Sequence, residues 1–314
     1  MNRSALLQAL AEHPDGIGGQ RLAERFGVTR AAVWKEIEAL RQEQLIIEGG
    51  RGGYQLKSPA GWGPSTLSWR VGRPVEWLAV CSSTNRIARD RAAELPASVP
   101  ADMLPVIVAD HQTAGRGRRG RVWQAEPGAS LLFSMVLRPS IPPHEAPRAV
   151  LAWAAAMAEV LDVGLKWPND LVVREADRML KVGGILAELD TSSEAFSGPG
   201  RTHSVVLGVG INVSQQSFDG LPDATSLALL GRPVADRAAL LGRLVRAIDA
   251  IDLNTPDLLD PWRKRAVMLG ESVVVGDVRG TATGIRDDGA LLVDGQAVLT
   301  GDVSLVSSGP PKAR

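Results

Sequence analysis

The densest chemistry in the chain is Gly115-Arg116-Gly117-Arg118-Arg119-Gly120, followed at once by Arg121. Four guanidiniums so close together repel one another unless a multivalent anion ends among them. Planar guanidiniums suit bidentate contact with phosphate or carboxylate, and glycines let the backbone fold around a ligand at φ values other residues avoid. The run is also a literal GxGxxG, the pattern of a dinucleotide-binding turn, which requires a strand before it and a helix opening inside it. A strand does precede, at Val106–Ala109. However, Arg121-Val122-Trp123 leads to Glu126-Pro127-Gly128 and a further strand, so no helix opens. A solvated basic loop is the plain alternative, but its place between two apolar strands argues against an idle surface excursion.

Four other runs carry groups of the right kind. Ser83-Thr84-Asn85 lies where a strand gives way to a helix; its default role is an N-cap with first-turn residues, whose exposed N–H groups and hydroxyls are also ready donors. Lys166-Trp167-Pro168-Asn169-Asp170 reads first as a turn. Lys181, followed by Val-Gly-Gly-Ile-Leu, stands at the mouth of an apolar strand, an unusual place for an ordinary surface lysine. Gly208-Val209-Gly210-Ile211-Asn212 ends a strand with glycines that allow close approach of a ligand. Trp123 either packs or stacks on a planar ligand, and Cys81 reads as a small core residue.

The elements that must position these groups fall into three segments. Over residues 1–62, helical spacing at Leu6, Leu7 and Leu10, a second helix at Gly19–Phe26, the turn Gly27-Val28-Thr29 and a helix over Arg30–Glu43 give helix-turn-helix spacing, with Thr29 as N-cap. Leu45–Glu48 and Tyr54–Leu56 form a hairpin with Arg51 at its tip, which makes the unit winged. Pro59, Gly61, Gly63 and Pro64 mark a linker. Residues 65–265 mix strands (Trp77–Val80, Pro105–Ala109, Ser130–Leu137, Gly164–Trp167, Gly184–Leu189, Ser204–Val213) with helices (Asn85–Leu95, Ala146–Leu161, Asp236–Ile251), and Ser193–Gly200 reads as a hairpin tip. Residues 268–308 carry short strands between glycine turns (Ser272–Val275, Gly280–Ile285, Ala290–Val293, Ala297–Leu299), predicting a small SH3-like β-barrel, with a frayed tail at 307–314. The fold class is α+β multidomain: a winged helix-turn-helix, a mixed α/β catalytic domain and a small barrel.

Bulk composition narrows the function classes. Lys+Arg and Asp+Glu are equal at 35 each, so any polyanion site is local and not a global field. A single cysteine excludes a disulfide framework. The four histidines show no metal-ligand spacing. No apolar run is long enough to span a bilayer, and no signal-peptide pattern opens the chain, so a cytoplasmic location is expected.

Taken in order, Ser83-Thr84-Asn85, Gln112 through Trp123, Lys166 through Asp170, and Lys181 through Leu186 with Gly208 through Asn212 closely resemble the ligand runs of biotin–protein ligases. The three-segment plan is similar to that of the bifunctional form, which doubles as a biotin-operon repressor. That resemblance implies a two-step reaction: biotin and ATP, accompanied by Mg²⁺, give biotinyl-5′-adenylate and pyrophosphate, and a lysine of a biotin carboxyl carrier protein then takes the biotinyl group. It implies Lys181 as principal catalytic cation, with Arg116 and Arg118. Biotin would be held by Ser83, Thr84, Asn85, Gln112, Gly115, Arg116, Gly117, Arg118 and Lys181. The adenylate would meet Arg118, Arg119, Arg121, Trp123, Asn169 and Asn212, and Asp170 is the expected carboxylate of a Mg²⁺ shell. Lipoate–protein ligase chemistry is the nearest rival, and a biotin sensor without catalysis a second. Repulsion among the loop's cations also predicts that the loop stays unordered until ligand arrives.

Operator DNA is a further expected partner, with a monomer that homodimerises on binding biotinyl-adenylate. Residues 1–57 hold eight basic and seven acidic side chains, a thin balance for duplex binding. Yet Thr29, Arg30 and Lys35 sit where a recognition helix meets the groove, and Arg51 crowns the wing. A merely bracing domain is the alternative.

Overall fold

The computed structural model describes residues 1–50, 52–96, 98–139, 141–176, 178–190 and 204–306. Arg51, the run Ser193–Gly200 and the tail 307–314 lie outside the described residues.

The N-terminal unit follows its apolar spacing closely. Helix α1 (Arg3–Ala11) buries Leu6, Leu7 and Leu10; α2 (Gly19–Phe26) buries Leu22 and Ala23 and stops at Gly27, whose φ of +63° suits glycine. Helix α3 (Arg30–Gln42) buries Val33, Ile37 and Leu40, and its Thr29 hydroxyl accepts the Ala32 N–H at 3.2 Å, the N-cap expected. Strands β1 (Ile46–Gly50) and β2 (Gly53–Ser58) pair antiparallel to form the wing. These residues share their own apolar core.

The expected linker is a packed joint. Helix α4 runs Pro64–Val71 with proline in its first turn, where a missing N–H costs nothing. Glu43, at the C-terminal end of α3, accepts the N–H groups of Ser65 (3.1 Å) and Thr66 (3.0 Å), so an acid of one unit caps the first helix of the next. Gly63 is glycine because a Cβ there would lie 2.6 Å from Glu43 Cγ. The residues that read as flexible punctuation are sites of close approach. Next to them, Trp62 Nε1 donates to Asp110 at 2.6 Å, and the Arg237 guanidinium lies 4.0 Å over the Trp62 ring. Burial pushes the Asp110 carboxyl up, opposed by the Trp62 hydrogen bond and by Arg237.

The middle of the chain builds a seven-stranded sheet. Its strands are β3 (Val75–Cys81), β4 (Val106–Gln112), β5 (Ser130–Leu137), β6 (Gly164–Lys166), β7 (Asp170–Glu175), β8 (Arg178–Asp190) and β9 (Ser204–Asn212), in the order β3-β4-β5-β9-β8-β7-β6. Only the β3–β4 neighbours run parallel. Every residue of β5 and β9 is buried, as central strands covered on both faces require. Helix α5 (Thr84–Glu94) covers one face through Ala88, packed on Ile107, Val136 and Val206. The alternate residues Val108, Met135 and Leu207 face α6 (Ala146–Leu161) and α7 (Arg237–Asp249). Strand β7 and the short α8 (Asp260–Arg265) lie outside the expected elements.

The last strands, β10 (Ser272–Val275), β11 (Val278–Ile285), β12 (Leu291–Val293), β13 (Gln296–Val298) and β14 (Val303–Leu305), form one five-stranded antiparallel sheet ordered β13-β12-β11-β10-β14. Val273, Val275 and Leu291 of this sheet join the same core as α6 and α7. Trp167 Nε1 also donates to the Gly289 carbonyl at 3.0 Å, so the small sheet is seated on the larger unit.

Candidate functional site

A cavity of about 350 Å³ opens over strands β8 and β9, within the size range of small-molecule sites. Gly184, Gly208 and Gly210 lie in its floor. A Cβ on Gly210 would fall 2.6 Å from the Trp123 ring, and the side chain of Asn85 fills the space over Gly208. These two glycines of β9 therefore make room for two particular side chains.

One end of the cavity is a polar pocket at the start of α5. Ser83 is the N-cap residue, yet its side chain makes no cap hydrogen bond. Gln112 does that work: its Oε1 accepts the Thr84 N–H at 2.7 Å and lies 3.1 Å from the Thr84 hydroxyl. Ser134 Oγ stands 2.7 Å from both Thr84 Oγ1 and Asn85 Oδ1; only the amide oxygen is a pure acceptor, so the Ser134 proton goes to Asn85. Asn85 Nδ2 donates to the Leu186 carbonyl (3.1 Å) and to Glu188 (2.9 Å), so both amide protons are engaged. The side-chain cap reading thus gives way for Ser83, which lines the cavity, while Asn85 lines it too and ties α5 to β5 and β8.

The arginine loop is a tight hairpin. Trp123 N–H donates to the Gly115 carbonyl at 3.0 Å and Gly117 N–H to the Arg121 carbonyl at 2.6 Å, with Arg119 (φ +54°) and Gly120 (φ +74°) in left-handed conformation at the tip. Only a single 3-10 turn occurs there, over Arg118–Gly120, and no α-helix opens, which removes the dinucleotide-turn reading. The repulsion that predicted an unordered loop is offset by carboxylates of the chain itself. Arg116 pairs with Glu188 at 3.0 Å, Arg121 with Asp302 at 2.6 Å, and Arg118 lies 3.5 Å from Asp302. Arg118 also donates to the Gly301 carbonyl at 3.2 Å. Burial pulls its pKa down, opposed by Asp302.

At the other end, Lys181 Nζ sits 2.6 Å from Asp170 and 5.7 Å from the centre of the Trp123 ring. Lys166 approaches the same carboxylate at 3.8 Å. Asp170, expected to hold Mg²⁺, is therefore engaged by two ammonium groups, and no cluster of three metal-ligating side chains occurs among the described residues. Asn169 donates to the Ile185 carbonyl at 2.7 Å and receives Arg118 at 3.5 Å, so it braces β8 and the loop. Asn212 donates to the Thr225 carbonyl at 2.9 Å, which fixes its amide orientation; its Oδ1 is buried without a partner. Trp123 Nε1 is likewise buried and unpaired.

Most of the expected site residues line this one cavity: Ser83, Thr84, Asn85 and Gln112 at one end, Arg116, Gly117, Arg118, Arg121 and Trp123 along the loop, and Asn169, Asp170, Lys181 and Asn212 opposite. Two do not. Gly115 is buried behind the loop, and Arg119 is exposed at its tip, outside the lining. On α3, Thr29, Arg30 and Lys35 are all exposed.

The Bacillus spizizenii bifunctional ligase/repressor BirA is 33% identical over 307 residues, covering 89% of this chain and 90% of that protein. This chain belongs to the biotin/lipoate protein ligase family. The model of that biotin/lipoate A/B protein ligase family matches residues 77–212, and an HTH domain model matches residues 2–55. Escherichia coli BirA, also a bifunctional ligase/repressor, is 31% identical, with 96% of this chain and 97% of that protein covered. Among solved structures, the Aquifex aeolicus biotin protein ligase in complex with biotin and ATP superposes with a TM-score of 0.56 at 27% identity, over 74% of this chain and 99% of that one.

For a ligase of this family, the sequence alone missed three residues of note. Glu188 and Asp302 hold the arginine loop from two sides; Glu188 was open to detection, since the period of two in β8 puts it on the face of Gly184 and Leu186. Asp302 carries no local signal. Trp34 is 57% exposed on α3, one turn after Arg30 and off the apolar stripe, a place where an aromatic is out of keeping with packing.

Proposed function

We propose that the cavity joins biotin to ATP and passes the biotinyl group to a carrier lysine. Two features support the polarity of binding. The uncharged donors and acceptors of Ser83, Thr84 and Gln112 cluster at one end, suited to a neutral ureido ring. The cations Arg118, Arg121 and Lys181 cluster where a carboxylate and an α-phosphate would meet. The carboxylate oxygen attacks the α-phosphorus, the bond to the bridging oxygen breaks, and pyrophosphate leaves with the electron pair. Negative charge gathers at the α-phosphate in that transition state, where preorganised cations act most strongly. Lys181 is the central one: Asp170 holds its ammonium beside the loop. In the second step a neutral lysine ε-amine of a carboxyl carrier protein attacks the biotinyl carbonyl and AMP departs. The unpaired Oδ1 of Asn212 fits an exocyclic amine donor of adenine, and the half-buried Trp123 face fits its ring. Mg²⁺ is assigned as the companion of ATP, carried on its phosphates, since Asp170 is already engaged by two lysines.

The single observation that carries this reading is the meeting of the arginine hairpin, Lys181 and the polar pocket in one glycine-floored cavity. Biotin-dependent exchange of pyrophosphate into ATP, run beside lipoate, tests it. Exchange with biotin alone is expected; exchange with lipoate instead, or with neither, rejects it.

The helix-turn-helix unit supports a second role as a biotin-responsive repressor. The exposed Thr29, Arg30 and Lys35 lie on the helix that would enter the major groove, with homodimerisation on biotinyl-adenylate giving a two-fold operator. A gel shift on DNA upstream of biotin genes, with and without biotin and ATP, tests this, and a shift indifferent to them counts against it. The proposed units are residues 1–62, 65–265 and 268–308, the last closing as an SH3-like barrel that braces the loop through Asp302. No helix among the described residues is long and apolar enough to cross a membrane.

A further inference from the structure

Glu188 lies in β8 just beyond the cavity wall, outside the set of side chains that line it. Its carboxylate gathers three donors from three places in the chain. Oε2 accepts Asn85 Nδ2 at 2.9 Å and Arg89 at 3.0 Å; Oε1 accepts Arg116 at 3.0 Å. Asn85 belongs to the polar pocket and Arg116 to the arginine hairpin, so one side chain ties together the two parts that must close around the uncharged end of a ligand. The Glu188 side chain is 24% exposed, against 46% for Arg116, which makes the acid the better fixed partner.

We infer that Glu188 is the positioning residue of the biotin end of the site: by holding Asn85 and Arg116 at once, it sets the closure of the arginine hairpin over the bicyclic head group. This rests on the ligase reading above. The hairpin's cations push apart, and the chain answers with a carboxylate on each side. Asp302 draws Arg118 and Arg121 toward the small sheet, while Glu188 draws Arg116 toward β8. The guanidinium of Arg116 is thereby committed to the protein, and the loop backbone at Arg116 and Gly117 is what it holds at the pocket. A charge-assisted contact of this kind constrains geometry more than a neutral one. Neutralising Glu188 leaves an acceptor for Asn85 and frees Arg116, so it separates the loop's closure from the integrity of the wall.

The test uses the full-length chain. Glu188→Gln and Glu188→Asp are compared with wild type in biotin-dependent exchange, titrating biotin and ATP separately, and in trypsin cleavage at Arg116–Arg121 without ligand. Glu188→Gln is expected to raise the biotin KM about tenfold, the effect of one charge-assisted hydrogen bond. The ATP KM and kcat stay within about twofold, and cleavage in the loop quickens. Glu188→Asp restores most of the biotin affinity, and Arg89→Ala, removing the exposed third donor, leaves it unchanged. A folded Glu188→Gln with wild-type biotin KM, or with a fall in kcat at unchanged KM, overturns the inference. Should wild type show no biotin-dependent exchange, the ligase reading falls, and the cleavage comparison still decides the positioning role: unchanged loop cleavage in Glu188→Gln overturns it.

Discussion

Two residues define the chemistry at the smallest scale, and they separate cleanly by experiment. Lys181 is partly exposed and contributes little packing, so Lys181→Ala should leave the melting temperature within about two degrees of wild type. Exchange should fall by on the order of 10²–10³, the usual cost of removing a preorganised group at a charge that develops in the transition state. Asp302→Asn acts on the other end: it releases Arg118 and Arg121 from the small sheet, and the ATP KM is expected to rise while the biotin KM holds. Equal effects on both substrates would show that the loop moves as one body. The site's cations were legible in the sequence because their types and crowding are local facts. Their pairings were not, since Arg116 and Glu188 are 72 residues apart and Arg121 and Asp302 are 181 apart; the period of β8 marks the face Glu188 is on but not the arginine it meets.

Strands and helices were legible in proportion to how fully their pattern decided burial. Strand β5 occupies Ser130–Leu137 as expected: all eight of its residues are buried, and a short, mostly apolar run bounded by Gly128 and Pro139 has the length of a covered strand. Strand β7 escaped because its Leu171-Val172-Val173 core follows directly on a Pro-Asn-Asp turn signal. The first residues of β8 escaped with it, since the pairing between these two strands shifts register between Leu171 and Val172. Helix α4 was hidden by its glycines and prolines, which in this joint serve contact and not looseness. In α3 the exposed face gives a prediction of its own. Trp34→Ala should lower affinity for a specific duplex more than for random DNA, through lost apolar contact with thymine methyl groups. Lys35→Ala should weaken both alike and flatten the salt dependence by about one phosphate contact. Salt titrations of binding on both DNAs separate the two; equal losses for Trp34→Ala would assign that ring to non-specific contact.

Across the molecule, the units are joined by polar contacts of short reach. Glu43 caps α4 from the end of α3, and Arg70 of α4 pairs with Asp236, the N-cap of α7, at 2.6 Å. Replacing Glu43 with Ala should cost about 1 kcal/mol, the usual worth of a helix cap. The loss should fall on the coupling between units, so that on heating the loss of specific DNA binding separates from the loss of exchange activity. Coincident transitions in the variant would show that the joint holds without the cap. The N-terminal core draws its buried residues from Leu6 through Ile47, all close in sequence, whereas the arginine hairpin is completed by contacts near residue 302. On a ribosome, which releases the chain N-terminus first, the recognition helix can be formed and capped while the hairpin still lacks its second carboxylate. Within the life of each newly synthesised molecule, the helix that reads DNA is thus in place before the site that makes the adenylate on which its use depends.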